Sequence, residues 1–402
     1  MICSDPGYSY NDLTIIPSGD FTTIKSRSEC NPYYKDGMLP LFTAPMSCVV
    51  DETNYALWEY YKINAILPRT VKYDVRMKFL YEGKWVALSL KEFKDLFCDI
   101  EAHKLKQNHE VKNATFKVCI DIANGHMKQI YDSISSAKYI SKTYGYNLVI
   151  MTGNIANPAL YKKIIQQKIP VDYIRLSIGS GNGCLTSSNT GVHYPIGSLI
   201  SQCKNHKGMA KIDHLDYPKI IADGGIRNYK DINIALALGA DYVMVGSLFA
   251  SIIESSAKTY IIEHPGLIEK PYMASTLDNI KTGLYYNYST LDDHMKQFDK
   301  LLRDDIKYYG DRIKKRFYGM STKEAQIEIN NALEYPTDFV SKTSEGVAKM
   351  LDCKYTIRQW TENFIDYLRS AMSYTGNKDL YEFTTCTDLI VNSTKTVDSV
   401  NK

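Results

Sequence analysis

The sequence gathers its chemistry-bearing residues in a few short stretches, of which Ile178-Gly-Ser-Gly-Asn-Gly-Cys184-Leu-Thr186 is the sharpest. Three glycines in five residues let the backbone turn tightly and turn its amides or carbonyls toward a ligand. A cysteine carried on such a loop is either a nucleophile or a small buried residue, and spacing alone leaves both readings open. Thr186 is a proton relay or a plain turn hydroxyl. Asp223-Gly224-Gly225 and Gly246-Ser247 fit a phosphate cradle, in which backbone amides face an anion, or ordinary turns after strands. Phe317-Tyr-Gly-Met-Ser321 offers a hydroxyl and a methionine, and Ser344-Glu345-Gly346 a carboxylate; each has an ordinary loop as its alternative.

Something must hold these stretches together. Eight β-branched or apolar runs recur: Leu41–Ala44, Asn64–Leu67, Val86–Leu90, Lys117–Ile122, Leu148–Thr152, Tyr173–Ile178, Lys219–Asp223 and Asp241–Gly246. Helical-period segments such as Met127–Thr143, Pro158–Gln167 and Lys230–Leu238 lie between them. Near-continuous apolar strands alternating with amphipathic helices predict a parallel sheet, and eight units predict closure into a (β/α)8 TIM barrel. A doubly wound open sheet would be expected to open with GxGxxG after a strand, and no such motif occurs. In a barrel the strand ends share one face, where active sites are built. Ala44-Pro45-Met46, Asp121 to Gly125, Gly153-Asn154, the cysteine loop, Asp223 to Gly225 and Gly246-Ser247 all fall there.

The expected organisation is one barrel domain over residues 1–385. It includes a charged, partly helical excursion at 251–315 after the last core strand, with Leu291–Tyr309 helical, and a C-terminal flap and helical segment. Residues 386–402 are rich in Ser, Thr, Asn and Asp and read as a flexible tail. A formal charge of only +3 over 402 residues gives no electrostatic reason for a nucleic-acid partner. No apolar run is long enough for a membrane helix. Nine cysteines without a CxxC pair, and no basic-then-apolar leader, predict a reduced cytoplasmic protein. Cys203 and His206 have metal-like spacing but no second pair, and are read as coincidence.

Taken in order, Tyr10-Asn-Asp-Leu13, Ala44-Pro-Met46, Gly153-Asn154, the cysteine loop, Ala222-Asp-Gly-Gly225, Val243-Met-Val-Gly-Ser247 and Tyr318-Gly-Met320 resemble the IMP dehydrogenase/GMP reductase family. Lys25 to Glu29, Asp121 to Gly125, Thr190 to Pro195 and Ser344 to Gly346 are similar to the reductase branch. No counterpart of the dehydrogenase's water-activating Arg-Tyr pair is found.

The resemblance implies NADPH-dependent reductive deamination of GMP to IMP through a thioimidate on Cys184, with Thr186 and Glu345 relaying protons to the departing ammonia. It implies a nucleotide site at Met46, Asn182, Asp223, Gly224, Gly225, Gly246, Ser247, Tyr318, Gly319, Met320, Ser321, Lys342, Ser344 and Gly346. Asp121, Ile122, Ala123, Asn154, Ile178 and Gly179 are implied near the nicotinamide. Ser26, Arg27, Ser370, Ala371, Met372 and Ser373 are implied at the dinucleotide's far end, across a boundary in a homotetramer. Gly179, Gly181, Cys184 and Ser187 are implied around a potassium ion. Three departures bear on the substrate: Asn182-Gly183 replaces the usual Ser-Val, Lys342 replaces an arginine, and 251–315 is longer than usual. An IMP dehydrogenase, a reductase of a modified purine nucleotide and a regulatory nucleotide-binding protein are the rival expectations.

Overall fold

The computed structural model of the chain describes residues 7–98, 112–181, 185–263, 266–270, 291–333, 343–344 and 346–392. All eight apolar runs form strands: Leu41–Thr43, Ile66–Leu67, Trp85–Leu88, Thr115–Ile120, Asn147–Ile155, Tyr173–Leu176, Lys219–Asp223 and Tyr242–Val245. They pair in parallel in one eight-stranded sheet. The sheet's two ends meet through a Phe42–Asn64 bridge, where the Thr43 N–H donates to the Asn64 carbonyl at 2.9 Å. That contact closes the (β/α)8 barrel.

Strand alternation sorts the core into two clusters. Outward residues such as Phe116, Val118, Ile174, Ile220 and Val243 pack under the helices. Inward residues Phe42, Ile66, Trp85, Cys119, Met151, Ile221, Tyr242 and Met244 fill the barrel. At the end opposite the loops that follow the strands, Phe42, Trp85, Tyr173 and Tyr242 interlock edge to face, with ring centroids 5.1 to 5.7 Å apart for Phe42–Tyr242, Trp85–Tyr173 and Phe42–Trp85. Each buried ring of this kind contributes roughly 1.5–3 kcal/mol. The interior is therefore a packed plug, and only its upper end is left for ligands.

After the last barrel strand the chain builds a four-stranded antiparallel sheet from Gly266–Lys270, Thr259–Glu263, Ile313–Tyr318 and Ala348–Asp352, in that spatial order. The excursion therefore begins as a hairpin, and its helix Leu291–Tyr309 follows. That helix is not purely exposed, because Met295, Phe298 and Leu302 are buried. Helix Ile357–Tyr374 then returns to the barrel wall, where Phe249 packs between Trp58 and Trp360 at 4.7 Å from each. Leu389–Val391, inside the segment expected to be a flexible tail, instead pairs antiparallel with Leu13–Ile15. The described residues include no helix long and apolar enough to cross a membrane.

Two buried ionisable groups fasten this second sheet. Lys315 is fully buried, and its Nζ donates to the Ile253 and Ser255 carbonyls and to Thr259 Oγ1 at 3.0–3.1 Å. Glu254 receives the Ile357 N–H at the start of the returning helix, at 3.0 and 3.1 Å. Burial pushes the Glu254 carboxyl up to about 8 despite that bond. A carboxyl raised in the folded state favours folding fully below its unfolded value and loses that contribution as pH rises through the folded one. Between pH 5 and 8 the wild type should lose stability relative to Glu254→Gln, which keeps an acceptor for Ile357. Chemical denaturation at pH 5, 6, 7 and 8 should show the gap widening, and parallel curves would contradict the assignment.

Candidate active site

The same alternation that fills the barrel with apolar side chains puts charge at its mouth. Two residues beyond inward Cys119 comes Asp121; two beyond inward Tyr173 comes Arg175; two beyond inward Ile221 comes Asp223. Arg175 is 8% exposed and lies between the two carboxylates, with Nη1 3.0 Å from Asp121 Oδ1 and Nε 2.9 Å from Asp223 Oδ2. Arg69, just past the second strand, donates from Nε to Asp121 Oδ2 at 3.2 Å. Asn154 Nδ2 donates to Asp223 Oδ2 at 2.7 Å. Burial alone would raise the Asp121 carboxyl, but Arg69 and Arg175 override it and hold it below its ordinary value. Burial would lower the Arg175 guanidinium, and Asp223 and Asp121 instead raise it well above its usual value. The network therefore favours the charged forms of Asp121 and Arg175 at the barrel mouth. All the described bonds to Asp223 fall on Oδ2.

Glycines let the loops around this network close in. A Cβ on Gly125 would lie 2.6 Å from the Asn154 carbonyl, and one on Gly153 2.5 Å from that of Arg175. Gly224 and Gly225 have φ of +97° and +75° and pack against Ser180, with Tyr10 on the other side of Gly225. The start of the cysteine loop thus rests on the turn after Asp223. Ser187 Oγ donates to the Gly179 carbonyl at 2.9 Å, and His193 Nδ1 lies 3.1 Å from the Ile178 carbonyl. Thr186 opens the short helix Thr186–Thr190 and is half-buried. Across the mouth, Met46 approaches Gly246, which precedes Ser247 at the start of another short helix.

Cys184, Asn182, Glu345 and Lys342 lie outside the described residues. Ile122 and Ala123 follow Asp121 in the loop after its strand. Tyr318 is buried, and its hydroxyl and that of Ser47 both lie on the Glu328 carboxylate, at 2.8 and 2.9 Å. Gly319, Met320 and Ser321 form the turn into helix Lys323–Asn331, and the Gly319 carbonyl accepts from Thr322 Oγ1. Ser344 Oγ donates to the Gly346 carbonyl. Arg27 meets helix Ile357–Tyr374 on an exposed face, contacting Ser370 Oγ and Asp366, both at 3.3 Å, and Ser26 beside it bonds Ser28. Ser373 Oγ bonds back to the Ser370 carbonyl, Ala371 is half-buried beside the core, and Met372 is fully buried and presents no side chain to a ligand.

Sequence reasoning passed over Arg69 and Arg175. A signal was present for the second: Tyr-Ile-Arg-Leu is an otherwise apolar strand with a single charge on its inward row.

A closed barrel whose strand ends converge on a charged, glycine-walled mouth defines a (β/α)8-barrel enzyme. The IMP dehydrogenase / GMP reductase domain model matches residues 100–297. A GMP reductase of Staphylococcus carnosus is 28% identical over 325 residues, covering 75% of this chain and 91% of the relative. Those of Clostridium acetobutylicum and Lactococcus lactis subsp. cremoris are 29% and 28% identical, covering 67% and 76% of this chain and 77% and 91% of the relatives. Over residues 100–297 the chain resembles the IMP dehydrogenase / GMP reductase domain, and together with the GMP reductase relatives this marks it as an oxidoreductase.

Removing Arg175 would leave two carboxylates facing each other in a buried mouth. Arg175→Met is expected to cost about 3–5 kcal/mol of folding stability, as when one partner is taken from a buried ion pair. The triple variant adding Asp121→Asn and Asp223→Asn should recover most of that loss in urea denaturation. Equal stability of the single and triple variants would show that the network carries no such coupling.

Proposed function

We propose that the protein is a GMP reductase, converting GMP to IMP and ammonia at the expense of NADPH. The observation that carries this reading is the placement of Asp121, Arg175 and Asp223 directly beneath the loop that leads to Cys184. The similarity to curated GMP reductases along three quarters of the chain supports it.

In this reading the Asp223 carboxylate, fixed through Oδ2 by Arg175 and Asn154, turns its other oxygen to the nucleotide's ribose hydroxyls. Gly225, Gly246 and Ser247 surround the phosphate from the last two strand ends, and Met46 and Met320 flank the base. Tyr318, engaged with Glu328, holds the wall behind them. The Cys184 thiolate adds to C2 of the purine. The C2 amino group leaves as ammonia, with protons relayed by Thr186 and Glu345, and a thioimidate remains on the sulfur. A bound nicotinamide cofactor supplies hydride to C2, and Cys184 is expelled as IMP forms. Asp121, held ionised by its two arginines, orients that cofactor beside Ile122, Ala123, Ile178 and Gly179.

At the far end, Ser26, Arg27 and Ser370 bring hydroxyl and guanidinium donors onto one exposed face, a donor set that suits a phosphate of the dinucleotide. The carbonyls of Gly179 and Gly181, with Ser187 bracing the first, are hard oxygen donors of the kind a potassium ion takes. The homotetramer and the cytoplasmic location are part of the same proposal.

The experiment follows nicotinamide absorbance with GMP plus NADPH and, in parallel, with IMP plus NAD. Loss of NADPH with stoichiometric ammonia is the expected result. Cys184→Ala should fall by at least about a thousandfold in turnover while still binding GMP, since a nucleophile has no substitute. NADH production from IMP would make the enzyme a dehydrogenase instead.

A further inference from the structure

Among the described residues, five other than glycine have positive φ. Four of them, Lys62, Asn113, Lys168 and His214, lie between +50° and +71°, the small left-handed basin that side chains do visit. Ser177 is at +113°, outside that basin, in a region normally left to glycine. It is also 3% exposed, so its hydroxyl is not there for solubility. Glycine would hold this backbone without strain. A serine retained here must gain something from its side chain.

Among the described residues, one hydrogen bond is made through that side chain. Ser177 Oγ lies 2.6 Å from Ser180 Oγ, while the Ser177 N–H is fixed to the Ile155 carbonyl at 2.9 Å. Ser180 in turn rests on the Gly224–Gly225 turn: its Cβ is 3.5 Å and 3.7 Å from where a Cβ on each glycine would be. Ser177 directly follows the strand that carries Arg175. The chain of contacts therefore runs from the ion network, through a strained serine and a hydroxyl pair, to the turn after Asp223.

We propose that Ser177 is a positioning residue, whose strained backbone is kept so that its hydroxyl can latch Ser180 and hold the loop start 178–181 against the Gly224–Gly225 turn. Its bearing on nucleotide affinity rests on the function proposed above; the latch itself does not.

Three variants separate strain from latch. Ser177→Gly removes both, Ser177→Ala keeps the strain and removes the hydroxyl, and Ser180→Ala removes only the partner. Ser177→Gly is expected to melt ~1–3 °C higher than wild type, the increment that relief of such strain brings in a chain of this size. The two alanine variants should not melt higher. In all three, amide hydrogen exchange in 178–190 should quicken about tenfold, and GMP should bind about tenfold more weakly by calorimetry, the loss of one hydroxyl pair. A purely structural serine would move stability and loop order in the same direction, whereas the latch predicts opposite directions in Ser177→Gly. Unchanged exchange in 178–190, or a Ser177→Gly protein that melts no higher, overturns the proposal. A wild type that fails to bind GMP counts against the nucleotide reading, and melting and exchange still decide the latch.

Discussion

The constraint on which the rest of the site depends is a buried guanidinium with a carboxylate on each side. Arg175 sits on an inward row of the barrel, directly above the aromatic Tyr173, so its charge is sustainable only with Asp121 and Asp223 in contact. Asp121 in turn is held below its ordinary value by Arg69 and Arg175, at a depth where burial alone would raise it. Three strand ends are thereby fixed relative to one another by charge rather than by loop packing. Beside the network, Gly125 and Gly153 leave no room for a side chain, and Gly224 and Gly225 hold the positive φ that the turn after Asp223 takes.

Preorganised charge at the end of a packed barrel suits the proposed addition of a thiolate to a purine ring, a step in which charge builds up on the adduct. Among the described residues the aromatic plug fills the far end of the barrel, which leaves the C-terminal face to ligands. The second sheet and the helix Ile357–Tyr374 bring residues from the last third of the chain back beside the first strands. Lys315 and Glu254 make that return possible by satisfying backbone groups that the excursion would otherwise bury unpaired.

The barrel was legible because parallel strands covered on both faces are near-continuous apolar runs, and each such run became a strand. The antiparallel sheet was not. Ile313–Tyr318 carries Lys314, Lys315 and Arg316, and a lysine pointing inward looks in sequence like a lysine pointing outward until its three oxygen acceptors are seen. Leu389–Val391 is a strand only because Leu13–Ile15 lies beside it, a pairing between opposite ends of the chain that no local pattern signals. Of the site, the glycine-bearing strand ends were readable as positions. The ion network was not, since Arg69, Asp121, Arg175 and Asp223 come from four separate loops or strands and meet only when the barrel closes. Ser177 gave no signal at all, because φ is a property of the folded backbone.

The covalent role of Cys184 is tested by peptide mass mapping of the enzyme quenched in acid while incubated with IMP and NADP. Run in that direction, hydride leaves C2 for the cofactor and the purine remains attached to sulfur. A purine-nucleotide adduct is expected on the peptide that contains Cys184, reduced or absent when Arg175 is replaced. An adduct on another cysteine, or steady turnover of GMP with no adduct on any, would contradict it.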